Sequence, residues 1–396
     1  MKIKVGLVGA GFAAVYHFAC LKNVYSVPIE IVGVTSLRKK SRDTFAKKRS
    51  IKAYASFDEL LRDVDVIDIC TPPYTHADMI IKAANAGKDI IVEKPLTGYF
   101  GPKEKKSDFK GNKANKKPML KSVLKTLERI YNAVNKSKVL LCYAENFVYA
   151  PSIQKEKEII QKSRSQILRM LGEESHNGSH SKVYGDWNFS GGGSLIGKGC
   201  HPLSALLYLK RMEGFITPGR PIRPVTVSAR VHEITRLPNY KDKGYIRIDY
   251  KDVEDYGFMH VSFDDGTVGD VITSEIVLGG TYDYVEVFAN NHRARCRLSP
   301  TNMLDVYNPN NKELAGIYLM EKLSSAEGWS PVAPNENLTM GYQSEIQDFM
   351  ECIYSRSEPQ SGLELAIDTT TTIYAAYVSS ENMGHEESIP TIMPKD

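Results

Sequence analysis

The chain has 396 residues, of which 42% are hydrophobic and 25% charged, and its formal net charge at pH 7 is +4. That length exceeds one comfortable core, so two domains are expected, with the composition of a soluble globular protein. The small basic excess sits largely in one lysine-rich stretch, which argues against a nucleic-acid partner, and no apolar run approaches membrane-spanning length.

The opening MKIKVGLVGAG has no long apolar region before a cleavage site and reads as a first strand, not a signal peptide. Residues 3–8 are almost continuously apolar, as expected of a strand buried on both faces. A helix over 13–23, a strand over 29–34 and a helix over 41–48 follow. Ser56 is placed to cap the segment FDELL, with Glu59 at capping-box spacing. Residues 66–70 (VIDIC) form another buried strand, stopped by Thr71-Pro72-Pro73. Residues 75–86 suit a helix ended by Gly87, and 89–92 begin the next strand. Such alternation implies a parallel sheet with right-handed crossovers. Residues 98–121, with eight lysines, break the rhythm and read as a solvated insertion; an arm across a subunit interface or a cover over a cleft are the functional alternatives. A helix over 122–135 and a strand over 139–144 complete a dinucleotide-binding domain of residues 1–146.

From residue 147 the texture changes. A helix over 151–162 precedes β-type segments at 225–232, 245–250, 257–263, 267–274, 284–289 and 293–298, with Asp264-Asp265-Gly266 as a hairpin signal. Two helices, near 342–355 and 364–382, close the chain. The fold class expected is α/β: a doubly wound parallel sheet, then an α+β domain of residues 147–396 on a large, mainly antiparallel sheet. The six cysteines are scattered without a C-x-x-C pair, so reduced thiols in a cytoplasmic setting are expected, without zinc ribbon or disulfide framework.

Gly9-Ala10-Gly11-Phe12-Ala13-Ala14 stands between the first strand and the first helix, the context a dinucleotide fingerprint requires. Gly9 permits the tight turn, Gly11 lets a pyrophosphate approach, Ala14 allows close helix–sheet packing, and Phe12 and Ala13 open the helix facing the phosphates. The second strand ends in Val34-Thr35-Ser36-Leu37-Arg38-Lys39, without the acidic residue that would take a ribose. Ser36 can bond a ribose hydroxyl or a phosphate, and Arg38 can pair with a 2′-phosphate. Charge therefore leans toward NADP, while solvated cations at a helix start leave NAD equally open.

Glu93-Lys94-Pro95 closes the strand that begins at residue 89, at the end of the sheet where ligands bind. Lys94 there can hydrogen-bond a substrate hydroxyl, and an oxidised nicotinamide beside it would lower its pKa. Residues 191–202, GGGSLIGKGCHP, carry a costly glycine run ahead of His201. G-x-G-x-x-A at the start, Thr71-Pro72-Pro73, Glu93-Lys94-Pro95, the glycines leading to Gly199-Cys200-His201 and the segment YQSEIQDFM at 342–350 together resemble the Gfo/Idh/MocA oxidoreductase family.

The resemblance implies a Rossmann domain, a mixed-sheet domain and an active site between them. It implies oxidation or reduction of a secondary alcohol on a sugar, cyclitol or related compound with NAD or NADP, in a homo-oligomer such as a dimer or tetramer. By the match, Lys94 is the active-site lysine and His201 the catalytic histidine. Thr71, Pro72 and His76 in the neighbouring loop, with Glu93, lie beside the nucleotide. The pattern departs from the family at two positions: Gly197 and Ser204 stand where acidic residues are usual, and Lys198 is the candidate to take part instead. The segment Glu173-Glu174-Ser175-His176 and this altered motif resemble the branch that oxidises the C3 hydroxyl of glucosides. The alternatives are a glycosidase that oxidises its substrate transiently on a retained NAD, and a non-catalytic dinucleotide sensor. His176 and His180 have metal-ligand spacing for a helix, but Asn177-Gly178 between them is a turn signal, so no metal is expected. His176 is instead a candidate sugar contact, and Tyr149 and Trp187 are candidates to stack on a substrate ring.

Overall fold

The computed structural model describes residues 2–102, 108–299, 304–312, 314–323 and 325–392. The first sheet is built by strict alternation. β1 (Ile3–Val8) leads into α1 (Phe12–Lys22), then β2 (Ile29–Thr35), α2 (Lys39–Arg49), β3 (Lys52–Ala53), α3 (Phe57–Asp63), β4 (Val66–Ile69), α4 (His76–Asn85), β5 (Asp89–Glu93), α5 (Lys116–Ser137) and β6 (Leu141–Ala144). The strands lie in the order β3-β2-β1-β4-β5-β6 and all pair in parallel, so the carboxyl ends of β1, β4, β5 and β6 meet along one edge. Val5, Leu7, Val66, Ile67, Ile69, Ile90, Ile91 and Val92 are fully buried, which is why these strands read as unbroken apolar runs rather than alternating ones. The Ser56 cap forms as expected, its Oγ accepting from Glu59 N at 3.2 Å, while the Glu59 carboxylate reaches back to Ala55 N.

Two short helices, α6 (Asn146–Tyr149) and α7 (Pro151–Ser163), lead to β7 (Ile167–Ser175). The glycine-rich segment then forms α8 (Trp187–Ser190), α9 (Ser194–Gly197) and α10 (Cys200–Ile216). The second sheet adds β8 (Pro224–His232), β9 (Tyr256–Phe263), β10 (Val268–Ser274), β11 (Tyr282–Ala289) and β12 (Arg293–Ser299). A hairpin of β13 (Asp305–Asn308) and β14 (Gly328–Pro331) precedes α11 (Glu336–Thr339), α12 (Tyr342–Ser355), α13 (Leu363–Glu381) and β15 (Glu387–Ser388). The order is β12-β11-β7-β10-β9-β8-β15, antiparallel throughout except where β10 runs parallel to β7. Gly172 on β7 and Gly269 on β10 let α10 lie directly on this sheet: a Cβ at either would come within 2.8 Å of Pro202 or Leu206.

Two expectations are corrected. Residues 245–250 form no strand; their backbone and Arg247 are engaged by the loop at 177–185, with Arg247 N donating to Asn177 O and Arg247 Nη1 to Ser179 O and Ser181 O. The lysine-rich stretch is not all solvated loop. Asn115 caps α5, which starts at Lys116, because Met119 and Leu120 belong to its buried stripe. Gly111 lies against Trp187, where a Cβ would be 2.0 Å from the indole; residues 103–107 of that stretch lie outside the described residues. No helix of the described residues is long and apolar enough to cross a membrane.

Candidate active site

The β1–α1 turn is shaped by two glycines with different duties. Gly9 has φ +115°, and a Cβ there would sit 2.4 Å from the carbonyl oxygen of Cys70, so only glycine fits. Gly11 is the N-cap of α1 without a side-chain cap, and a Cβ on it would meet nothing within 4 Å. The first N–H groups of α1 therefore face open space, as a diphosphate needs, and Ala14 on the opposite side is fully buried. Ala13 is partly buried; Phe12 is exposed and its ring packs on Tyr16. Ser36 follows β2, and Arg38 is exposed as the N-cap of α2.

The loop after β4 is tied to the turn after β5 by one buried ring. His76 has Nε2 2.8 Å from Thr71 O and Nδ1 2.9 Å from Pro95 O. Burial holds its pKa below the ordinary value. His76 thus braces Thr71 and Pro72 from beneath instead of reaching a ligand itself. Beside it, the Lys94–Pro95 bond is cis, Glu93 Oε2 accepts from Lys94 N at 3.0 Å, and Lys94 Nζ donates to Gly197 O at 2.8 Å. Burial opposes the ammonium charge, but Cys200, Tyr184, Glu174 and Glu93 around it hold the Lys94 pKa above the ordinary lysine value.

The glycine run delivers the opposite wall. Gly191 (φ +79°) and Gly192 (φ +155°) adopt backbone that side chains avoid, and a Cβ on Gly193 would be 2.0 Å from Glu254 O. The buried Glu254 carboxylate accepts from Gly193 N, Leu195 N and Tyr377 OH, while Tyr374 OH donates to Gly191 O. α9 and α10 then follow in quick succession, placing His201 in the first turn of α10.

His201 is held between two carboxylates. Its Nδ1 hydrogen-bonds Glu145 Oε1, just past β6, and its Nε2 lies 3.6 Å from Glu174 Oε2 on β7. The ring stacks on Phe147 with centroids 5.0 Å apart. Burial, reinforced by Lys94 and partly opposed by Glu174, lowers His201 to about 3; burial pushes Glu145 up to about 8. Both groups are thus driven toward their neutral forms and share one proton on the Nδ1 side. Glu174 is also raised by burial, against the pull of His201, Lys94 and Lys198, and its Oε2 makes no hydrogen bond among the described residues.

The structure therefore brings Lys94 and His201 together, with Glu145, Glu174 and the Tyr184 ring, 5.8 Å from Lys94 Nζ, around them. Lys198 is buried next door, ion-paired to Glu275 at 3.1 Å and donating to Ser179 Oγ. His176 accepts from Gly178 N on the same wall, where Lys322 donates to Gly178 O. Burial and the neighbouring Lys198 lower Lys322 to about 8. Two expected substrate contacts are corrected. Tyr149 is buried with its hydroxyl on Asp348 and Ser361 N. Trp187 is buried with its indole N–H on Tyr99 O; in both, the polar tip found an internal partner, which turns the ring into the core.

Two groups of metal-ligand type, Glu145–Cys200–His201 and His17–Asp68–Cys70, bring donor atoms within 4.8 Å of one another, but in each the histidine Nδ1 is spent on the carboxylate. Glu145 and the His17–Glu93 contact were missed by sequence reasoning. Glu145 could have been found, since it follows a strand that ends at the same sheet edge as Glu93 and Lys94.

Residues 3–104 match the model of an oxidoreductase family with an NAD-binding Rossmann fold, Gfo/Idh/MocA. The chain is 25% identical over 258 residues to an uncharacterized oxidoreductase of Schizosaccharomyces pombe, across 62% of this chain and 59% of that protein. It is 39% identical over 100 residues to the scyllo-inositol 2-dehydrogenase (NAD(+)) of Bacillus subtilis, across 24% of this chain and 29% of that protein. It thus spans well under two thirds of the length of these relatives. Among solved structures, GenD2 from gentamicin A biosynthesis in complex with NAD aligns with a TM-score of 0.78 at 20% identity, covering 98% of this chain and 97% of that one. The scyllo-inositol dehydrogenase of Lactobacillus casei with bound NAD(H) and scyllo-inositol aligns at 0.71 and 16%, covering 98% and 99%. At these identities the likeness is one of fold.

Proposed function

We propose, from the match of residues 3–104 to the model of the Gfo/Idh/MocA oxidoreductase family, that this chain is a nicotinamide-dependent dehydrogenase of secondary hydroxyls on sugars or polyols. The observation that carries the reading is that Lys94, from the carboxyl edge of the parallel sheet, bonds the carbonyl of Gly197 four residues ahead of His201, and that Lys94 and His201 both act on the charge of Glu174. When bound, the nicotinamide supplies the hydride acceptor; the open α1 terminus above Gly11 and the loop at Thr71 and Pro72 are shaped to hold such a nucleotide.

The chain's own residues supply the rest. Lys94 donates a hydrogen bond to the reacting oxygen and stabilises alkoxide charge as the hydroxyl loses its proton. Above about pH 8, where Glu145 is ionised and His201 carries its own proton on Nδ1, the free Nε2 takes the hydroxyl proton, and the Glu145 carboxylate balances the imidazolium that forms. Glu174, 3.6 Å beyond Nε2, is placed to pass the proton onward or to bind a neighbouring hydroxyl. His176, Lys198 and Lys322 form the polar wall that orients the remaining hydroxyls.

The finer reading is oxidation at C3 of a glucoside, supported by the Glu174-to-His176 segment lining the site where Gly197 offers no carboxylate. The six cysteines are free and buried, which fits a reducing cytoplasm, and exposed Tyr307 and Trp329 on the β13–β14 hairpin suit a homo-oligomer. The test is direct. The purified chain is supplied with NAD or NADP and with inositols, free sugars and glucosides, and nucleotide reduction is followed. Lys94→Ala and His201→Ala are each expected to lose about 10²–10⁴-fold in kcat. If both turn over like the parent, these roles are wrong.

A further inference from the structure

His17 sits on the inner face of α1 and is 1% exposed. Its Nδ1 lies 2.9 Å from Asp68 Oδ1 on β4, and its Nε2 lies 3.1 Å from Glu93 Oε1 on β5. The other Glu93 oxygen accepts the backbone N–H of Lys94. A continuous chain thus runs from the nucleotide-binding helix through the partly exposed Glu93 to the turn that carries Lys94, with the buried Asp68 anchoring the other side of the ring. Each ring nitrogen faces a carboxylate oxygen, so the ring serves both only as a double donor, the imidazolium.

Charges around the ring agree with this geometry. Burial opposes a positive His17, but Asp68 outweighs it and holds the ring well above its ordinary value. Burial likewise works against an ionised Glu93, yet His17, and behind it Lys94 and His201, keep it below the ordinary glutamate value. The other titratable groups facing the ring are Cys70 after β4, which donates its thiol to Asp68, Cys20 one turn along α1, and Glu345 on α12.

We propose that His17 is a positioning residue for Lys94: by clamping one Glu93 oxygen it leaves the other to fix the Lys94 backbone, and it keeps an anion behind the Lys94 ammonium. His17 does not touch substrate in this role. The kinetic part of the inference rests on the dehydrogenase reading; the clamp itself does not.

The experiment compares His17→Asn, which keeps a donor toward Asp68 but not Glu93, with His17→Gln, whose amide reaches the Nε2 position. Kinetics, nucleotide affinity and the carbon-13 signal of the Glu93 carboxyl, assigned with Glu93→Gln, are followed from about pH 5 to pH 9, with thermal unfolding confirming folded protein. In His17→Asn, kcat is expected to fall about tenfold or more while nucleotide affinity stays within about threefold, the signature of a lost transition-state interaction. The Glu93 signal should titrate at a higher pH in His17→Asn than in the parent, and the pH–rate profile should move with it. His17→Gln should recover most of kcat. An unmoved Glu93 signal and pH profile in folded His17→Asn would overturn the proposal, as would a loss confined to nucleotide binding. Absence of nucleotide reduction by the parent on any sugar or polyol would sink the dehydrogenase reading instead, and the Glu93 signal would still decide the clamp.

Discussion

Glu145→Gln should make the protein less active and more stable at once. In the parent, Glu145 bonds Nδ1 of His201 and leaves Nε2 facing Glu174. Glutamine can accept the same Nδ1–H bond but brings no charge to balance the imidazolium formed when Nε2 takes a proton. A hydrogen bond to a charged group is worth about 1.5–3 kcal/mol and a neutral one about 0.5–1.5. The difference, enlarged by burial, corresponds to a loss in kcat of about 10–100-fold. Stability moves the other way. The folded state raises the Glu145 carboxyl from 4.5 to about 8, so it binds that proton more tightly than the unfolded chain does. The parent therefore loses stability as pH climbs from about 4.5 through about 8, by up to ~5 kcal/mol at about 1.4 kcal/mol per tenfold in proton affinity. The Nδ1–H of His201, bonded to the ionised carboxylate, returns part of this. Glutamine does not titrate, so the variant should match the parent near pH 4 and exceed it by about 2–3 kcal/mol near pH 9. Urea unfolding at several pH values and steady-state rates on the same samples measure both effects. A variant that is less stable than the parent at pH 9, or that keeps kcat within about twofold, would refute the assignment of Glu145 as the buried partner of a catalytic imidazole.

Two further substitutions probe the nucleotide site. Gly9→Ala places a methyl group 2.4 Å from Cys70 O on a backbone with φ +115°; it should cost about 2 kcal/mol or more in thermal unfolding and weaken dinucleotide binding, read by titration calorimetry. Arg38→Ala should raise the KM for NADP about tenfold and leave that for NAD within about twofold, because only the former offers the exposed guanidinium a 2′-phosphate. Equal effects on both nucleotides would show that Arg38 is a solvated cation.

What the sequence disclosed and what it hid divide along physical lines. The β1–α1 turn was legible because glycines there answer to backbone constraints that no other residue meets. Lys94 and His201 were legible because each sits in a short motif. α10 escaped because its residues from Cys200 to Lys210 are all buried, which leaves no polar face and so no helical period to detect. β7 was obscured by Arg169 and the paired glutamates in ILRMLGEES, whereas YIRID at 245–249 alternates like a strand yet has its hydrogen bonds claimed by a loop. Glu145 and Glu174 acquire their place beside His201 only through chain-distant packing; 56 residues separate Glu145 from the ring it holds. Trp187 and Tyr149 show the converse error, since aromatic rings near a glycine run can as well be bolted to the core by their polar tips.

The Tyr374 hydroxyl on α13 accepts the N–H of Tyr99, five residues past Lys94, and donates to the carbonyl of Gly191, ten residues ahead of His201. Order of synthesis gives this small bridge a large effect. Every side chain assigned here to chemistry or substrate has left the ribosome by residue 322, yet the two backbones that carry Lys94 and His201 are latched to each other by an oxygen that emerges about fifty residues later. A nascent chain stopped short of α13 therefore holds all the groups assigned to the site and lacks the latch that joins the two backbones carrying them.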